Sequence, residues 1–185
     1  MKKVFKYLGI FIAVILLLTA GLNLVSSDEK EIAIVIEQEV NAPVNQVYNK
    51  VRNLKNFPSW SPFRLTDPEQ KFSLSNVDGQ VGARFHWKGV KEVSEGYQEI
   101  ISLEENKSVK IKCNITVPYE AKPEFNYYFV EKENKTFITQ EFKVQMPFPA
   151  NIIAHFTDLR KDMKLTNEKG LMLLKKVCEK DLAQL

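Results

Sequence analysis

Cysteine and histidine are scarce in this chain, two of each among 185 residues. That scarcity excludes a disulfide-stapled miniprotein, which needs a dense cysteine framework. It also leaves none of the close ligand pairing that a zinc site uses. Glycine and proline are low, at 7 and 8, which removes collagen-like, low-complexity and wholly disordered chains. No glycine-rich phosphate loop, internal repeat or cofactor signature is present, so no cofactor is expected. Surplus charge is missing too. The formal net charge of +3 comes from Lys2, Lys3 and Lys6, because residues 1–27 hold no acid and the rest carries 23 basic and 23 acidic residues. A nucleic-acid binder concentrates positive charge to displace phosphate counterions, so no nucleic-acid partner is expected.

What the chain has is apolar mass for one domain: 44% hydrophobic residues, with 12 Phe, 6 Tyr and 2 Trp. Its first concentration is N-terminal. Tyr7 to Leu22 is uncharged and almost wholly apolar, Asn23-Leu24-Val25 extends it, and Ser26-Ser27-Asp28 ends it. As a helix, Val4 to Val25 would measure roughly 33 Å, about the thickness of a bilayer's hydrocarbon. Two readings stand: an uncleaved signal anchor, or a signal peptide cut at the imperfect sites Val25-Ser26-Ser27 or Thr19-Ala20. Lysines before the span and Asp28, Glu29 and Glu31 after it put the N-terminus in the cytoplasm. The expectation is a single-pass protein of the cell membrane with an extracytoplasmic domain, or a secreted or periplasmic domain if the segment is cleaved. No cysteine near the end of the run supports lipoprotein processing there. Residues 1–27 are read as anchor or signal segment and 28–185 as the folded domain, with 26–31 a short polar tether. Cys113 and Cys178 have the option of pairing in an oxidising compartment, yet both fall in segments read as core, which favours buried free thiols. Asn106, Asn114 and Asn134 each begin a glycosylation tripeptide, relevant only in a host that glycosylates.

Period-two spacing of Ile32, Ile34, Ile36 and Val40 predicts a strand over 31–40. Asn41-Ala42-Pro43 stops it, and Pro43 opens a short helix whose buried face is Val44, Val47, Tyr48, Val51 and Leu54. Pro58 and Pro62 prevent that helix from continuing, so residues 56–71 are expected as an aromatic loop. From Phe72 to Met146, strands alternate with turn residues at Asp78-Gly79, Lys88-Gly89, Glu105-Asn106, Lys122-Pro123 and Glu133-Asn134, the pattern of an antiparallel meander. Val109, Ile111, Cys113, Ile115 and Val117 share one face of a strand that is apolar on one side and polar on the other. Two helices end the chain, near 150–156 and 158–181, the second with an apolar stripe of Leu171, Leu174, Cys178, Leu182 and Leu185 laid on the sheet. Gly170 beside that stripe permits close approach. Lys161, Lys164, Lys169, Lys175, Lys176 and Lys180 are expected on the opposite, solvated side.

This order of elements resembles the helix-grip fold of the START-like, or SRPBCC, superfamily, and within it the polyketide cyclase and dehydrase-like proteins. The resemblance is carried by Glu37-Gln38-Glu39-Val40-Asn41-Ala42-Pro43-Val44-Asn45-Gln46-Val47-Tyr48, by Asn53-Leu54-Lys55-Asn56-Phe57-Pro58-Ser59-Trp60-Ser61-Pro62, and by Asn167-Glu168-Lys169-Gly170-Leu171-Met172-Leu173-Leu174-Lys175-Lys176. It implies an α+β fold in which a curved antiparallel sheet wraps a long C-terminal helix, with an apolar cavity between them. Superfamily members bind lipids, hormones, polyketides and quinones, act as cyclases, or bind other proteins, so the fold alone does not name the chemistry.

The partner expected from this resemblance is a hydrophobic small molecule or lipid, with the membrane reached through the N-terminal helix. Its contacts are expected from Trp60, Phe85, Trp87, Tyr97, Ile111, Phe125, Tyr127, Phe129, Phe142, Leu171 and Leu174, with Gln140 as a neutral hydrogen-bonding group. These side chains would otherwise simply fill the core. For catalysis the candidates are few. Glu99 shares a nominal strand face with Tyr97, Ile101 and Leu103, which would make it an inward carboxylate unless a bulge reverses it. His86 alternates with Phe85 and Trp87 and so faces the other way, and His155 falls between strand and helix. Three functions follow: a tethered carrier that binds without transforming its ligand, an enzyme of cyclase, dehydratase or hydrolase type, and a protein-interaction module.

Overall fold

The structure is a computed structural model that describes residues 2–25 and 30–183. Tether residues 26–29, and Leu185 of the expected stripe, lie outside the described residues. Helix α1, Lys2–Val25, comes first. Its segment Val4–Leu24 is long and apolar enough to cross a membrane, and none of it is buried in protein.

Beyond α1 the order is β1 (Glu31–Val40), α2 (Val44–Arg52), two 3-10 turns (Leu54–Ser59 and Pro62–Leu65), β2 (Lys71–Ser75), β3 (Arg84–Lys88), β4 (Glu95–Glu104), β5 (Ser108–Val117), β6 (Glu124–Lys132), β7 (Lys135–Gln145), α3 (Ala150–Phe156) and α4 (Leu159–Leu182). Strands β1–β7 form one antiparallel sheet in the order β1-β7-β6-β5-β4-β3-β2, so the meander is completed by β1 pairing with β7. Pro43, held extended, launches α2, which buries Val47, Tyr48 and Val51.

The aromatic segment is more ordered than the expected loop. Pro58 and Pro62 deny it an α-helix, but the shorter 3-10 register still closes, with Trp60 N–H donating to the Phe57 carbonyl at 3.0 Å. Asp78 accepts the Leu54 N–H at 2.7 Å and satisfies the first turn's start.

One face of the sheet is apolar. The register aligns Ile34 with Phe142, Phe142 with Phe125, Phe125 with Ile111 and Ile111 with Ile100. Over this inner face α4 lies against β1, while α2 and the first 3-10 turn cover β3 and β5–β7. The helix therefore shares the sheet with α2 and the 3-10 turns, a plainer arrangement than a sheet curled around one helix. Most of the core lies in that layer, and a second cluster of Ile32, Ile34, Phe142, Val144 and Ala154 lies beneath α3.

Two details of α4 depart from expectation. Leu182 is exposed, as the helix has run past the end of the sheet's cover. Lys175 is not on the solvated side: its Nζ donates to the Glu39 carbonyl at 2.8 Å and pairs with Glu179 at 3.0 Å.

Candidate functional site

Leu171 and Leu174 of α4 are fully buried beside the inner face, where Trp60, Phe85, Ile111, Tyr127 and Phe129 belong to the same core cluster. Trp87 and Phe125 pack against that cluster half-buried. Edge contacts lock the rings: Trp60 meets Phe57 at 4.9 Å and Tyr127 at 6.3 Å between centroids, and Phe57 meets Phe85 at 5.6 Å. Phe142 falls in the second cluster but touches Phe125 at 5.1 Å, so it borders the site.

Polar groups gather at one point of this apolar layer. Buried Gln140 donates from Nε2 to Asn167 Oδ1 at 3.0 Å and to Tyr127 Oη at 3.3 Å. Asn167, one turn before Leu171 on α4, is anchored by its Nδ2 on the Met163 carbonyl at 2.8 Å. Across the sheet Gln98 is buried opposite Phe85 and Cys113. Among the described residues, Trp60 Nε1, Ser61 Oγ, Gln98 Nε2 and Gln140 Oε1 are buried with no hydrogen-bond partner. A folded protein keeps few such atoms, because each forfeits its water without replacement. Burial pushes the Tyr127 phenol up, Cys113 adds to this, and the Gln140 hydrogen bond only partly opposes it. Burial likewise pushes the free thiols of Cys113 and Cys178 up to about 12. All three therefore stay protonated at neutral pH.

Gln98, Ser61 and Asn167 were not anticipated. Asn167 had a signal, since it continues the Leu171–Leu174 spacing back by four residues. Gln98 had none, because the face of β4 is set by its partners.

Tyr97, Glu99 and His86 need separate treatment. Tyr97 and Glu99 were expected to face inward with Ile101 and Leu103, and this is corrected. Their pairing with His86 and Arg84 puts both on the outer face, and Gly96, Gln98 and Ile100 are the buried residues of β4. The cause is a bulge: Ile100 pairs with Ile111 and Ser102 with Lys110, leaving Ile101 as the extra residue. Leu103 is thus inward and Ile101 exposed, although strict alternation places them together.

On that outer face Glu99 accepts from Arg84 Nε at 2.8 Å, and the Arg84 guanidinium lies 4.8 Å from the Tyr97 ring centre. His86 Nε2 is 3.2 Å from Ser75 Oγ, and its ring tilts on Tyr97 at 5.4 Å. Concavities of about 430 and 350 Å³ open here, the first lined by His86, Trp87 and Tyr97, the second by Tyr97, Glu99 and Cys113. His155 is exposed on α3 and joins neither side of the sheet. Among the described residues, no group of three or more His, Cys, Asp or Glu is placed to hold a metal ion.

No family profile matches the sequence, and no curated protein does. Solved structures match in fold. Protein CV1439 from Chromobacterium violaceum superposes with a TM-score of 0.60 at 10% identity, over 80% of this chain and 97% of that one. Ara h 8.0201 does so at 0.59 and 12%, over 81% and 99%. Protein Ms6760 from Mycobacterium smegmatis gives 0.54 and 16%, over 79% and 90%. The fold class is thus α+β with an antiparallel sheet and C-terminal helices, of the helix-grip type.

Proposed function

We propose that the chain is a membrane-tethered domain that holds a largely apolar small molecule or lipid between the inner face and α4 without transforming it. Residues 1–27 serve as a retained anchor and 28–185 as the binding domain, in the manner of the polyketide cyclase-like branch. The supporting observation is the set of unpartnered polar atoms on an otherwise apolar face. Trp60 Nε1 and Gln98 Nε2 are donors and Gln140 Oε1 is an acceptor. Trp60 and Gln140, both against Tyr127, suit a small polar head such as a hydroxyl or carboxylic acid group on an apolar body, and Gln98, three strands away, suits a second polar group on the same molecule. Phe85, Phe129, Ile111, Leu171 and Leu174 would receive that body. Trp60 and Tyr127 must turn aside to admit it, since their rings occupy the layer in this structure. The tether would raise the local concentration of any ligand drawn from the bilayer.

Gentle native mass spectrometry of the full chain, purified in detergent from a lipid-containing host and followed by organic extraction, tests this. A discrete apolar adduct is expected, and its mass gives the ligand class. A chain that carries no adduct and takes up no fluorescent fatty acid would overturn the carrier reading and favour a protein-interaction module.

A further inference from the structure

The two ends of the sheet differ in chemistry. Where β1 begins and β7 ends, the antiparallel order also gathers the β3–β4 turn, the β5–β6 connection and α3. The opposite end carries the hairpins Glu104-Glu105-Asn106-Lys107 and Glu131-Lys132-Glu133-Asn134-Lys135, both strongly charged, with Val77 and Val81 as exposed aliphatics beside them. The first end instead exposes Tyr119, Phe148 and Val93 from its connections.

Helix α3 is amphipathic the wrong way round for a surface in water. Its buried side carries Asn151 and Ala154, and its outward side carries Ile153 at 59% and Phe156 at 67% exposure. Asn151, with 0% exposure, donates from Nδ2 to Oδ1 of Asn23 at 2.8 Å. Asn23 lies one residue before the end of the candidate span Val4–Leu24, so this bond holds α3 at the level where the apolar part of α1 stops. If α1 spans a bilayer, apolar side chains pointing outward at that level would meet its headgroup region.

We propose that α3 and the Tyr119 connection bed into the headgroup layer of the membrane that α1 spans, docking the domain on the bilayer with the start of β1 towards the lipid. This rests on the reading of α1 as a retained anchor. An interfacial helix of this kind sits about 5–10 Å into the headgroup and acyl boundary.

The test uses the full chain in vesicles of equal parts phosphatidylglycerol and phosphatidylcholine, with and without a lipid carrying a nitroxide near its headgroup. Single variants Ile153→Cys, Tyr119→Cys and Glu105→Cys are labelled with an environment-sensitive fluorophore, which the buried Cys113 and Cys178 do not compete for. All three positions are exposed, and a thermal unfolding curve checks the fold of each variant. Labels at 153 and 119 are expected to shift to the blue and lose most of their emission to the nitroxide, while the label at 105 does neither. Equal quenching at all three sites overturns docking by this face. So does a chain that floats with the vesicles yet shows no quenching at 153 and 119. A blue shift without lipid quenching means a second copy or another protein covers the face, and overturns it too. A chain that does not float removes the anchor reading and this one with it; flotation thus separates the two failures.

Discussion

Gln98 and Asp67 are both buried and polar, and their predicted behaviour is opposite. Gln98 Nε2 has no partner among the described residues, so the folded state carries its desolvation cost unrelieved. Replacing it by leucine, of similar volume, is expected to stabilise the ligand-free protein by about 1–3 kcal/mol. The same change should weaken ligand retention, and a thermal midpoint that rises while the native-mass adduct diminishes is the expected pair of results. Asp67 is an acceptor well used: its Oδ2 takes the N–H groups of Val90 at 2.7 Å, Lys91 at 3.2 Å and Glu92 at 3.3 Å. Burial pushes its carboxyl up, and these backbone bonds, with that of Glu69, outweigh burial and leave it below the usual range. A carboxylate held down in this way stabilises the fold above its unfolded value near about 4, and that contribution is lost as pH falls through the folded value. Asp67→Asn is therefore expected to unfold earlier in urea than the parent at pH 7, with the gap closing in that acid window. Neither role was legible from the residues alone. Their types announce hydrogen bonding, but the partners of Asp67 lie more than twenty positions away, in the β3–β4 turn.

Strands and turns carried more of their own information than single polar residues did. Strand β1 and helix α3 span the ranges that their periodicity predicts, because hydrophobic alternation and the flanking prolines are local signals. Strand β4 is the exception, since one bulged residue, Ile101, swaps the faces before it relative to those after it, and alternation alone cannot locate a bulge. Gly96 at the start of β4 shows how tightly the corrected register is packed. A Cβ there would collide with the Asn114 carbonyl and lie 2.8 Å from the Trp87 ring. Neither neighbour is a flexible chain end, so Gly96→Ala is expected to cost about 1–3 kcal/mol. A lowered thermal midpoint with altered near-UV dichroism from Trp87 would report it. Unchanged values would mean that the β3–β4 pairing yields more readily than its packing indicates.

At the scale of the whole molecule, topology across the bilayer governs what the domain can meet. If α1 is retained as the anchor proposed above, Lys2, Lys3 and Lys6 would stay cytoplasmic and the domain would lie on the far side of the membrane. Protease added to intact spheroplasts is expected to digest the domain and leave a short fragment containing α1; full protection would reverse the orientation. The sequence by itself determined the apolar span, the order of strands and helices, and the stripe of Leu171, Leu174 and Cys178 on α4. Each depends on a pattern within a few turns of one segment, which local sterics and hydrophobic periodicity settle. Only the tertiary structure decided that Tyr97 and Glu99 face outward, and that Gln140 and Asn167 meet beside Tyr127. It alone, too, ties Asn151 to Asn23 across 128 positions of chain. Those arrangements come from strand register and from helices brought together by burial, and distance along the chain does not encode them.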